Sequence, residues 1–258
     1  MTDDVLSFNQ AAWDRDSARG GEWSRAVDAA TIERARGGDW SVVLTPQKPV
    51  PRSWFPADLR GVRILALAGS GGQQAPVLAA AGASVTVFDL SAEQLARDRE
   101  VAERDGLDLV LEQGDMADLS RFGDGGFDLI VNPCSVGFAP DVEPVWREAA
   151  RILRPGGRLM TGVINPVFFL FDHDAPGDGA RLARFALPYR GDAPGHRSRA
   201  EAADEPMQFS HSIQTLLGGQ MHAGLHLIDL YEDRWPGANV AVDALTPLYI
   251  ATLAAKPS

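Results

Sequence analysis

Cysteine is nearly absent from this sequence. Cys134 stands alone, so no disulfide can close within the chain, and no Cys/His cluster has the spacing of a structural zinc site. Basic residues are in deficit: 24 Lys and Arg stand against 35 Asp and Glu, a net charge of −11, with no Lys/Arg run. That argues against nucleic acid as a partner, because phosphate binding needs clustered cations. Long hydrophobic runs are missing too. The richest, Val167 to Phe171, is far short of the ~20 residues that span a bilayer. The acidic start Met1-Thr2-Asp3-Asp4 has no basic-then-apolar leader. The expectation is a cytoplasmic protein with no membrane contact. Neither repeats nor low-complexity tracts occur. What is present is ordinary globular composition, 258 residues with 45% hydrophobic and 23% charged. A chain of that length can bury roughly 70–75% of its unfolded surface without a metal or disulfide staple.

Texture divides the chain. Residues 1–60 are rich in Trp, Pro and Arg and read as a helical N-terminal extension or lid. Residues 61–165 alternate short apolar runs with helical patterns. Residues 166–210, dense in Pro, Gly, His and Asp, read as a substrate-side insertion, and 211–258 as the C-terminal part of the core. Within the middle region, Val62–Ala68 fits a strand buried on both faces, and Ser84–Phe88, Leu109–Glu112, Phe127–Val131 and Leu159–Ile164 fit the second to fifth strands. Gln73–Ala81 fits a helix with Pro76 in its first turn and Gly82 past its end. Ser91 and Gln94 form a capping box for the next helix, and Asp141 caps one whose apolar face carries Val145, Trp146, Ala149 and Ile152. Arg154-Pro155-Gly156-Gly157 reads as a tight turn. The acid-rich stretch Asp98 to Asp118 reads as a solvated helix flank with connecting loops. Repeated strand–helix alternation predicts an α/β fold, a doubly wound parallel sheet with helices on both faces.

In such a sheet a ligand binds beyond the carboxyl ends of the strands. After the first strand come Gly69, Ser70, Gly71 and Gly72. After the second comes Asp89, 17 residues past Gly72, placed to accept two ribose hydroxyls. After the third come Asp115 and Met116, 26 residues past Asp89, where a carboxylate can accept an exocyclic amine. After the fourth come Asn132 and Pro133, 17 residues past Asp115. Order and spacing together describe one adenosine laid across three strand ends.

These residues resemble a family. Ile64-Leu65-Ala66-Leu67-Ala68-Gly69-Ser70-Gly71-Gly72 is similar to motif I of class I S-adenosylmethionine-dependent methyltransferases, Val85–Asp89 to motif II, and Gly114-Asp115-Met116 to motif III. Phe127–Val131 and Leu153–Leu159 resemble the two blocks that follow. The resemblance covers roughly residues 55–165 and points to the small-molecule, type-11-like group. It departs at Ala66, where an acidic residue is usual, and at Ala68 and Ser70, where glycines are usual. It implies a Rossmann-like, seven-stranded, mostly parallel sheet with the last strand antiparallel, with Leu225–Tyr231 and Tyr249–Ala254 as the sixth and seventh strands. It also implies S-adenosyl-L-methionine as cofactor, held by Ala68, Gly69, Ser70, Gly71, Gly72, Gln73, Asp89, Leu90, Asp115, Met116, Asn132 and Pro133.

The implied reaction is in-line methyl transfer to an O, N, S or C atom of a small molecule. His211 is the candidate base, though a carboxylate or no base at all serves equally well. Trp13, Ser135, Phe168, Phe171 and Tyr189 are candidates for the acceptor pocket, and no metal site is expected. Cys134 reads as a small buried hydrophobe. Two alternatives stay open. One is an NAD(P)-dependent oxidoreductase, although Gln74 stands where the last glycine of its fingerprint belongs and none of the three Tyr pairs with a Lys at helical spacing. The other is a non-catalytic module that binds S-adenosylmethionine. Oligomeric state is open.

Overall fold

The structure, a computed structural model, describes residues 2–173, 175, 182–235 and 242–258. Two helices lead, α1 (Thr2–Ala18) and α2 (Ala29–Arg36). The core then alternates: β1 (Arg63–Leu67), α3 (Gln74–Ala80), β2 (Ser84–Asp89), α4 (Ala92–Asp105), β3 (Leu109–Gln113), β4 (Phe127–Asn132), α5 (Glu143–Ile152), β5 (Leu153–Ile164). After β5 come a 3-10 turn at Pro166–Leu170 and α6 (Pro194–Ala203). A π-helical turn at Gln214–Gly218 runs into α7 (Gly219–His222), followed by β6 (His226–Asp233) and β7 (Tyr249–Ala255). The sheet order is β3-β2-β1-β4-β5-β7-β6. β1 to β5 are parallel, and β7 runs antiparallel between β5 and β6. The doubly wound, seven-stranded expectation holds.

Burial on both faces explains the unbroken apolar strands at the centre of the sheet, whereas β3, at its edge, is only half-buried, with Val110 52% exposed. In β1, Ile64 and Ala66 join one core with Trp40, Trp54, Leu78 and Leu95, while Leu65 and Leu67 join the other with Trp146, Ile152 and Leu153. The helix ends follow local chemistry. Ser91 Oγ accepts from Gln94 N at 3.1 Å, and Gly106 closes α4 in the left-handed region at φ 63°. Asp141 Oδ1 accepts from Glu143 N at 3.0 Å ahead of α5.

Three expectations need correction. The Arg154–Gly157 turn lies inside β5, which begins at Leu153. Gly156 takes φ +72°, its N–H donates to Lys256 O at 2.9 Å, and Lys256 N–H donates to Gly157 O at 2.9 Å, so β7's continuation absorbs the turn as an irregularity in the strand. The capping box is half formed. Ser91 N–H donates to Asp89 Oδ1 at 2.8 Å, and the Gln94 amide goes elsewhere. Asp98, grouped with a solvated flank, is 2% exposed.

Of the leading tryptophans, Trp40 and Trp54 pack in the first core, Trp54 Nε1 donating to Asp229 Oδ2 at 3.0 Å. Among the described residues, no helix is long and apolar enough to cross a membrane.

Candidate active site

The strand order reverses between β1 and β4, and a cleft of about 540 Å³ opens there, lined by residues that follow β1, β2, β3 and β4. Its size falls among small-molecule pockets, which run ~300–1,000 Å³. Ala68 and Ser70 follow β1, Asp89 and Leu90 end β2, Gly114 to Ala117 follow β3, and Pro133 to Ser135 follow β4. α1 adds Asn9 and Trp13 to the lining, and the later segments add Phe168, Trp235 and Tyr249.

The loop after β1 has an unusual backbone. Ala68 (φ 48°) and Ser70 (φ 68°) both sit in the left-handed region although both carry a Cβ, at ~1–2 kcal/mol each. Hydrogen bonds hold it there. Ala68 N–H donates to Phe88 O at 2.8 Å, Gly71 N–H to Gln94 Oε1 at 2.8 Å, and Gly72 N–H to Asp98 Oδ1 at 3.0 Å. Gly71 and Gly72 therefore face α4. A Cβ on Gly71 would fall 2.9 Å from Gln94 Cα, and one on Gly72 2.9 Å from Ala26 Cβ.

Of the residues expected at a cofactor, Ala68, Ser70, Asp89, Leu90, Asp115, Met116 and Pro133 line the cleft, whereas Gly69, Gly71, Gly72, Gln73 and Asn132 do not. Gln73 Nε2 donates to Glu22 O at 2.9 Å. Asn132 is fully buried. It donates to Leu67 O (2.8 Å) and Ser135 Oγ (2.7 Å) and accepts from Thr161 Oγ1 (2.8 Å), tying β1, β4 and β5 together. Of the acceptor-side candidates, Trp13, Ser135 and Phe168 line the cleft. Phe171 does not line the cleft but packs with Val242 and Leu248 in the apolar cluster to which the cleft's Phe168, Trp235 and Tyr249 belong. Tyr189 stacks on His196 at 4.1 Å and lines a second cavity of about 500 Å³. His211 lines that second cavity as well. Its Nε2 lies 3.0 Å from Ala139 O, and burial holds the imidazole below its ordinary pKa. A backbone carbonyl has captured the side chain proposed as base.

The acid–base groups of the cleft have a clear pattern. Burial pushes Asp89 up to about 6, against the Ser91 N–H that favours its charge, and Asp14 raises it further. Burial also pushes the Cys134 thiol and the Tyr249 phenol well above their ordinary values, so both stay protonated at neutral pH. Among the described lining residues there is no Lys, Arg or His.

Several site residues escaped the sequence reading. Asn9 on α1 donates to Phe138 O (3.2 Å) and Met207 O (3.0 Å) and accepts from Met207 N (2.7 Å). Asp14 Oδ1 accepts from Ser91 Oγ at 2.5 Å. Both tie α1 to the rim of the cleft. Gln94 was legible only as a cap partner, and Asp98 only as one acid among many.

A family model described as a methyltransferase domain matches residues 65–161. The uncharacterized methyltransferase YbaJ of Bacillus subtilis (strain 168) is 42% identical over 255 residues, covering 98% of each chain. An arsenite methyltransferase of Aquipseudomonas alcaligenes is 40% identical over 114 residues, 40% of this chain and 33% of that one. An S-adenosylmethionine-dependent methyltransferase from Mesorhizobium loti, solved by crystallography, superposes with a TM-score of 0.59 at 21% identity, covering 80% of this chain and 95% of that one.

Proposed function

The chain belongs to the class I S-adenosylmethionine-dependent methyltransferases, and from that premise we propose that it methylates a small, largely apolar molecule held in the cleft over the strand ends. Membership sets aside the oxidoreductase and the non-catalytic module. The residues fit the donor. A carboxylate at the end of β2 suits a ribose diol, and Leu90 and Met116 line the cleft beside Asp89 and Asp115, where an adenine needs apolar cover. When bound, S-adenosylmethionine supplies a methyl group already activated by its sulfonium.

The protein's part is therefore chiefly to orient and to exclude water, which can supply up to ~7–11 kcal/mol of barrier lowering. Ala68, Ser70, Asp89, Leu90, Asp115, Met116 and Pro133 hold the donor. Trp13, Ser135 and Phe168, with Tyr249 and Trp235, hold the acceptor. α1, Trp23 and Val43 to Pro46 supply the covering side, with Phe168 and Gln208 from the segment after β5. The observation that carries this reading is a single cleft in which strand-end carboxylates and an aromatic wall meet.

His211 faces another cavity, and Cys134 and Tyr249 keep their protons, so the acceptor presents its own lone pair or gives its proton to one of the cleft carboxylates, Asp89, Asp115 or Asp141. The test is a panel of small amines, thioethers, thiols and phenols, read by release of S-adenosylhomocysteine. Turnover with a compact apolar acceptor supports the proposal. Turnover only with a protein or nucleic acid substrate contradicts it.

A further inference from the structure

We propose that Gln94 and Asp98, one turn apart on α4, are positioning residues that clamp the loop 68–73 in the shape that receives the methyl donor. This rests on the reading that Ala68 and Ser70 border the donor. Both of those residues carry a Cβ and take φ 48° and 68°, a conformation they leave unless something holds them. The holding groups come from α4, Gln94 itself bordering the cleft and Asp98 lying behind the loop. Gln94 Oε1 accepts from Gly71 N at 2.8 Å, and Asp98 Oδ1 accepts from Gly72 N at 3.0 Å. The two side chains are 4% and 2% exposed, so water cannot replace either acceptor. Gly71 is glycine because α4 approaches it this closely, and Gly72 because it takes φ +73° and a Cβ there would fall against Ala26 and then Arg97 O of α4. Gly72 O in turn accepts from Val27 N at 2.9 Å, closing the loop's other side. α4 is itself anchored. Ser91 Oγ caps Gln94 N, Ser91 N–H donates to Asp89 Oδ1, and Arg97 Nη2 donates to Ser17 O at 3.0 Å. One helical turn thus links the proposed ribose carboxylate to the strained loop, and the clamp stands in for the loop glycines that this chain lacks at positions 68 and 70.

The test is calorimetric titration with S-adenosylhomocysteine alongside thermal melting. Gln94→Ala and Asp98→Ala should each weaken binding about tenfold or more, since a buried N–H loses its acceptor and the strained loop relaxes. Asp98→Asn retains an acceptor oxygen and should bind as the parent does. In an Ala68→Gly/Ser70→Gly background, where positive φ is free, the same alanine substitutions should cost about threefold or less. Should an alanine variant fail to fold, Gln94→Met keeps the volume without the amide and should show the same weakened binding. Asp89→Ala separates the two readings. If it weakens binding while Gln94→Met and the alanine variants lower only the melting temperature, the clamp is overturned. If Asp89→Ala also leaves affinity unchanged, the placement of the donor has failed instead.

Discussion

Asp89 carries the most at the smallest scale. Its replacement by Ala should cost ~1.5–3 kcal/mol of cofactor binding, roughly tenfold to over a hundredfold in affinity, measured by calorimetry on a variant whose melting temperature shows that it folds. Its pKa near 6 adds a pH signature. The charged form is the better acceptor for two ribose hydroxyls, so affinity should rise as pH climbs through about 6 and level off above it. Asp89→Asn should flatten that rise. An unchanged slope in the Asn variant would assign the titration to another group. Asp98 makes the opposite mark on stability. Burial pushes it up to about 8 from an ordinary 3.8, so the folded protein keeps a proton that the unfolded chain releases. Stability from this group is full below about pH 4 and is lost as pH rises towards 8. Asp98→Asn should therefore melt higher than the parent at pH 8.5 and lose its advantage at pH 4.5. Asp89 was readable from the sequence because strand ends announce themselves. Asp98 was not, because its partner Gly72 lies 26 residues away and only the fold makes them neighbours.

Whole elements were more legible than the faces they present. β1, β2, β4 and β5 declared themselves through apolar runs that no solvent-facing strand would carry, the edge strand β3 only through its short Leu109–Leu111 run, and α4 through its Ser91 cap and Gly106 stop. α1 was expected only as part of a helical extension, and of its residues Trp13 alone was placed at the acceptor pocket, with nothing in the pattern to single out Asn9. The structure puts Asn9 and Trp13 at the cleft, with Trp13 edge-on to Phe138 at 4.9 Å between ring centres. Asn9 satisfies both the N–H and the C=O of buried Met207, so Asn9→Ala should destabilise by ~1–3 kcal/mol. Denaturant titration reads that loss, and a midpoint unchanged from the parent would mean that water takes the amide's place. The segment after β5 was the least legible. Its rings stack mainly on one another, Phe169 on Tyr189 and Tyr189 on His196, and only Phe168 reaches the cleft. Aromatic content alone cannot distinguish an insertion's private core from a substrate wall.

The molecule as a whole spends its net charge of −11 on its surface and on three cleft carboxylates, Asp89, Asp115 and Asp141, with no cation among the described lining residues to balance them. Such a field favours neutral or positively charged acceptors and repels phosphates and carboxylates. Initial rates on a productive neutral acceptor should stay level between pH 7 and 9, because no His or Lys is among the described lining residues and burial keeps Cys134 and Tyr249 protonated. The most direct check on the whole arrangement is a crystal structure with S-adenosylhomocysteine bound. The nucleoside should lie across the tips of β1, β2 and β3, with its sugar hydroxyls on Asp89 and its sulfur turned towards Pro133 and Cys134. Density for the ligand anywhere else, or a ribose that makes no contact with Asp89, would contradict the placement on which everything here depends.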